Sequence, residues 1–211
     1  MQITWYGHSC FRLRSRKGTV VTDPYGSELG YDVPRLRADI VTVSHEHPDH
    51  DNVKAVKGKP MIIDGPGEYE IKGIFVIGIP TSQGDGQGGP ESRNTIYLFD
   101  LEGVTVCHLG DLVRVPTQSE VEELSDVDVL LIPVGGGNAI GAAKASEVIS
   151  LLEPKVVIPM HYGTEAVKGL KLEPVDHFLK EMGIKEIVPQ DTVKLTKGGL
   201  PSETQVTVMK C

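Results

Sequence analysis

Apolar residues along the chain come in short runs separated by glycine and polar punctuation, and the character of those runs changes from front to back. In the first half they are brief and β-branched or alternating: QITWYG, SCFRLRS, GTVVTD, IVTVS at 40–44, PMIID, GEYEIKG, IFVIGIP, NTIYLFD and VTVCHL. A period of two in such segments predicts strands. DPYGSELGYDVP and TSQGDGQGGPESR are rich in Gly, Pro and Ser and predict loops. In the second half, buried-looking runs (VDVLLIPV, KVVIPM) alternate with helical spacing in TQSEVEELS, AAKASEVISLLE and PVDHFLKEMG. Thr117 with its early Glu predicts a capped helix start, and Gly183 a helix stop. Pro48 suits the first position of a helix, which NVKAVKG then continues. DTVKLTK and TQVTVM close the chain as strands. The pattern predicts an α/β chain of two packed sheets with helices outside, in a single domain over 1–211.

Composition narrows the function classes. A chain of 211 residues can bury a proper core without staples. Its net charge of -8 disfavours a non-specific binder of the phosphate backbone, which usually presents a basic face. Nucleic acid is therefore an unfavoured partner, although metal ions can meet phosphate without such a face. Cys10, Cys107 and Cys211 are odd in number and show no CxxC spacing, so they read as reduced thiols in a cytoplasmic protein. No run is long enough for a signal peptide or a membrane helix, so no membrane partner is expected.

The chemistry concentrates at SHEHPDHDN (44–52), which holds three of the seven histidines. His45 and His47 lie two apart, so in an extended turn both imidazoles can face one way. Asp49 and His50 follow, and at the start of the expected helix they can aim at a neighbouring point. Two nitrogens can serve one metal, and a carboxylate with an imidazole a second. Imidazole plus carboxylate suits Zn2+, with Mn2+ or Fe2+ where oxygen ligands dominate.

HxHxDH after a short buried strand resembles the metallo-β-lactamase superfamily of metal-dependent hydrolases. WYGHSCF, VVTDP, CHLGD and VIPMHYGT stand in the order and rough spacing of its ascorbate-6-phosphate lactonase-like branch. The resemblance implies an αββα sandwich with the metals at one edge of the two sheets. It makes Asp111 the bridging carboxylate and His161 a ligand of the second metal, while His8 and Asp23 orient ligands or line the pocket. As strand-end polar residues, these last two also need no function. The superfamily normally supplies another histidine before the LGD aspartate, and 79–94 contains none. Gln83 stands by position where that ligand would be, and an amide oxygen is a poor ligand for zinc. One or two ions are expected, the one at Asp49, His50, Asp111 and His161 being the tighter. A coordinating water or His108 is the alternative repair for the first site.

His108 shares a strand face with Val104 and Val106, which predicts a buried, hydrogen-bonded ring that supports the ligands from behind. His177 reads as a surface residue. Gly135–Gly137 lack a following GK[ST], which excludes a Walker loop, and instead let the backbone pass close to the metal pocket. GDGQGG (84–89) reads as a flexible connection.

A metal that lowers the pKa of bound water makes hydroxide available at neutral pH. With Asp49 orienting that water and taking its proton, no Ser or Cys nucleophile is required. The expectation is a metal-dependent hydrolase acting on a phosphodiester, phosphate ester or lactone small molecule, in a chain that can form homo-oligomers. The competing readings are a non-catalytic metal-binding protein of the same fold and, lower, a nuclease. A diiron redox protein is disfavoured, because the resembling redox family carries Glu where His47 stands.

Overall fold

The computed structural model describes residues 1–32, 35–82, 93–124 and 126–211. β1 (Gln2–Trp5), β2 (Phe11–Arg14) and β3 (Thr19–Thr22) form an antiparallel meander, its register set by Ile3 opposite Leu13 and Phe11 opposite Thr22. β4 (Leu36–Arg37) stands outside that sheet, whereas β5 (Ile40–Thr42) joins β3 in parallel. β6 (Val56–Lys57) pairs with β4, and β7 (Met61–Ile63) adds to β5. A second sheet runs antiparallel through β8 (Gly67–Ile71), β9 (Ile74–Ser82), β10 (Arg93–Leu101) and β11 (Val104–His108).

After β11 the connections become helical and the pairing turns parallel, as crossover units require. α1 (Gln118–Glu123) precedes β12 (Val129–Pro133), and α2 (Ala142–Leu152) leads to β13 (Val156–Met160). α3 (Val175–Glu181) then returns the chain to the first sheet at β14 (Val193–Lys194), and β15 (Gln205–Val206) joins β13. The sheet orders are β14-β1-β2-β3-β5-β7 and β15-β13-β12-β11-β10-β9-β8. Thr117 makes the expected capping box with Glu120, and Gly183 follows α3 at φ 70°.

The main core lies between the two sheets. Ile3, Phe11, Leu13, Val20 and Ile40 from the first pack against Val76, Tyr97, Phe99, Val106 and Ile158 from the second, all fully buried. Val148, Ile149, Phe178 and Leu179 extend the same cluster beneath α2 and α3. The other outer face is covered differently. Val21 and Val41 of the first sheet pack under Tyr25, Leu29, Tyr31 and Leu36, from an irregular segment rather than a long helix. The αββα sandwich is thus present, with one outer layer drawn thin. No described helix is long and apolar enough to cross a membrane.

The helix expected from Pro48 onward does not form. Residues 45–50 make bends and a turn, Val53–Ala55 a single 3-10 turn, and Val56 already belongs to β6. Backbone bonds explain the departure: His50 and Asp51 N–H both donate to the His47 carbonyl, and Asn52 N–H donates to Pro24 at 2.7 Å. Those bonds hold the segment as a turn, and the β-branched Val53 and Val56 have little intrinsic pull toward helix.

Candidate metal centre

The ends of neighbouring strands deliver the site. Asp23 follows β3, Ser44–His50 follow β5, Asp111 follows β11, His161 follows β13, and His8 lies in the turn between β1 and β2. The carboxyl ends of parallel strands lie together, which is where sites on such sheets are commonly built. Tyr97 of β10 locks the two sheets at this edge. Its hydroxyl reaches the Val43 carbonyl at 2.9 Å and the Ile63 carbonyl at 3.1 Å.

The structure gathers His8, His45, His47, Asp49, His50, Asp111 and His161 into three overlapping groups able to hold a metal. These are His8 with His50 and His161, His45 with His50 and Asp111, and His45 with His47 and Asp49. His50 Nε2 stands 3.4 Å from Asp111 Oδ1 and 3.5 Å from Asp49 Oδ1, while His161 Nε2 is 3.3 Å from Asp111 Oδ2. His8 Nε2 lies 3.4 Å from Asp49 Oδ2, and His45 Nε2 lies 3.9 Å from Asp111 Oδ2. His47 Nδ1 bonds the Asp49 carboxylate directly.

Asp23 sets the orientation of two rings at once. Its Oδ2 accepts from His50 Nδ1 at 2.8 Å and from the Ser44 hydroxyl at 2.6 Å. With its proton on Asp23, Ser44 Oγ is the acceptor for His45 Nδ1 at 3.0 Å. In their neutral form both imidazoles are thereby left with Nε2 free of a proton for a ligand, the usual arrangement behind metal-bound histidine. Asp111 is braced from two sides. Asn94 Oδ1 accepts its backbone N–H at 2.9 Å, and Asn138 Nδ2 donates to its Oδ2 at 2.7 Å.

Backbone strain marks the same residues. His8, Asp23 and His161 take φ of 50°, 38° and 51°, a region that non-glycine residues adopt at a cost of about 1–3 kcal/mol each. Gly110 has φ 56°, and a Cβ there would collide with Asn94 Oδ1 and lie 2.6 Å from Ser44 Cβ. Gly135 passes so close to His161 that a Cβ would stand 2.7 Å from Tyr162 Cα. The first glycine of the GGG run therefore lets the backbone approach the pocket, as expected.

Charge follows burial and proximity. Burial lowers the His8 pKa to about 4 against the pull of Asp49, and burial also lowers His45. For His50 burial works the same way, but Asp111 and Asp23 outweigh it and hold the pKa well above the ordinary imidazole value. Asp111 stays ionised well below the usual carboxylate range despite full burial, because His161 and His50 face it.

His108 is fully buried, as expected, and both ring nitrogens are engaged. Nε2 donates to the Ser9 carbonyl at 2.9 Å, and Nδ1 accepts from Gly110 N–H at 3.2 Å. It fixes the backbone on either side of the cluster. His177 is exposed and pairs with Glu173 on the surface. Gln83 and the 84–89 segment lie outside the described residues. Ser44, Asn94 and Asn138 carried no motif of their own, and only their neighbours, HxHxDH, NTIYLFD and GGG, drew attention to their segments.

A metal is tested by the atoms this cluster leaves unsatisfied. Both ring nitrogens of His8 and of His161, His50 Nε2 and Asp111 Oδ1 are buried without a hydrogen-bond partner among the described residues. Buried polar atoms normally find partners, and several orphans of ligand chemistry facing one another suit a cation. The residues present fit a divalent ion.

Comparison with known proteins agrees. Residues 2–161 match the family model of the beta-lactamase superfamily domain. A metal-dependent hydrolase of Methanoregula boonei is 31% identical over 190 residues, covering 78% of this chain and 83% of its own. Another, from Pyrobaculum islandicum, is 29% identical over 92% of this chain and its entire length. Among solved structures, a candidate zinc-dependent hydrolase of the metallo-β-lactamase superfamily from Thermotoga maritima is 42% identical with a TM-score of 0.82, over 99% of this chain and 97% of that one.

Proposed function

The chain belongs to the β-lactamase superfamily as a metal-dependent hydrolase, and from that premise we propose that it cleaves a phosphodiester, phosphate ester or lactone bond in a small molecule. The observation that carries this reading is the set of orphaned ligand atoms on His8, His50, His161 and Asp111, converging where strand ends meet. His8, His50, His161 and Asp111 would hold the inner ion, and His45, His47 and Asp49 an outer one with Asp111 between them. Relative to the set expected from the sequence, this adds His8 to the inner ion and moves Asp49 to the outer one, and it keeps the inner ion the tighter of the two. Five imidazoles among seven candidate ligands favour zinc, with manganese or iron as alternatives.

When bound, the metal supplies Lewis acidity and lowers the pKa of water toward neutrality. Asp49 touches both halves of the cluster and lies beside half-exposed His47, which supports the proposal that it orients the attacking water and takes its proton. Asp23 and Ser44 keep His45 and His50 in one tautomer while this happens. Asn138 holds the Asp111 carboxylate and Asn94 its backbone. Cys10 and Cys107 are buried thiols whose pKa burial pushes up, so they offer no competing nucleophile.

The test is elemental analysis of protein purified without chelators. It is followed by assays on bis(4-nitrophenyl) phosphate, 4-nitrophenyl phosphate and γ-butyrolactone with zinc, manganese or iron added back. Bound metal and hydrolysis of one substrate class support the reading. If the loaded protein hydrolyses none of them and His50→Ala merely lowers stability, a non-catalytic metal protein replaces it.

A further inference from the structure

A slot of about 230 Å3 has Leu29, Pro48, Leu170 and Gly26 among its walls and is lined also by the candidate outer ligands His47 and Asp49. We infer that this slot receives an apolar portion of the substrate, an alkyl or acyl chain whose scissile bond then lies at His47 and Asp49. The inference rests on the hydrolase reading above and names the substrate class more narrowly.

Three observations carry it. First, apart from the candidate ligands His47 and Asp49, the lining is aliphatic side chains and glycine with two charged residues, Glu28 and Lys168, that are exposed and opposite in sign. A sugar phosphate or nucleotide needs converging polar donors, which these walls do not provide. Second, the slot is preformed. Lys168 N–H donates to the Leu29 carbonyl at 2.9 Å, tying its two side loops together, and Gly26 N–H donates to the Pro48 carbonyl at 3.2 Å, tying one loop to the ligand turn. Third, Leu29 belongs to the secondary core and Leu170 packs against it, so the slot opens on apolar surface already in place. The larger hollow of about 680 Å3 between α2 and α3 contains none of the converging ligands.

The experiment uses the metal-loaded full chain and the series ethyl-, butyl- and hexylphosphonate, with binding read by calorimetry. Turnover of γ-lactones carrying alkyl chains of the same lengths is read alongside. Each added methylene is expected to tighten binding by about two- to fourfold in the unmodified protein, and Leu170→Gln to remove most of that gradient. Affinity independent of chain length in the unmodified protein overturns the proposal, and this measurement needs no variant to fold. A gradient that survives Leu170→Gln intact places the chain elsewhere and also overturns it. A gradient in binding with no hydrolysis of any ester, phosphodiester or lactone leaves the slot standing and removes the hydrolase reading. Hydrolysis without a gradient does the reverse.

Discussion

The two halves of the metal centre are built to different standards. His8, His50, His161 and Asp111 are completely buried, whereas the His45 side chain is 8% exposed and that of His47 is 52% exposed. The inner half carries two strained ligands and holds orphaned ring nitrogens out of reach of water. Such atoms cost free energy in a metal-free fold, so the inner half is preorganised for a cation at the expense of apo stability. The outer half has no comparable debt. His47 satisfies itself on Asp49 and reaches solvent beside the slot. On the proposed reading, one half keeps an ion and the other meets a substrate.

Removing an inner ligand is the severest way to break that contrast. His50→Ala takes away the ring that belongs to two of the three ligand groups and faces both Asp111 and Asp49. Turnover is expected to fall by roughly three orders of magnitude, comparable with loss of a preorganised electrostatic group, and elemental analysis should show the tighter ion gone. Asp23→Asn follows in size. It belongs to none of the ligand groups yet serves His50 directly and His45 through Ser44. Metal affinity should drop about 10–100-fold at both halves together, measured by competition with a chelator. Loss confined to one half would show that the Ser44 relay does not operate.

Much of this was legible in the chain. Strand periodicity located the sheet segments, because a half-buried strand must alternate. HxHxDH, LGD and PMHYGT located the expected ligands, because ligand chemistry concentrates in few residue types. The relay through Ser44 was not legible, since a serine beside a histidine is ordinary and its role depends on Asp23, a distant residue in sequence. His8 reads as one polar residue after a strand until the fold strips its ring of hydrogen-bond partners. The helix expected at Pro48 failed for a related reason: proline at N1 is a local preference, whereas the turn there is set by bonds to the His47 and Pro24 carbonyls.

Two smaller effects sharpen the comparison. His47→Ala should weaken only the outer ion, by about tenfold or less, because its exposed ring is the least fixed of the candidate ligands; stepwise metal titration would show one affinity change and the other hold. The smallest effect is on the metal-free protein and depends on pH. Burial lowers the His8 pKa from 6.5 to about 4, so across that window the unfolded chain binds more protons and stability falls as pH falls. His50 acts with the opposite sign. Its raised value gives a contribution fully present below 6.5 and lost as pH rises through the folded pKa. Acidification from 6.5 to 4 should therefore lower the melting temperature of metal-free protein by a few degrees more than that of His8→Gln. Equal slopes would mean that His8 gains a proton as readily in the fold as outside it. The inner half would then differ from the outer in ligand number alone, not in preorganisation.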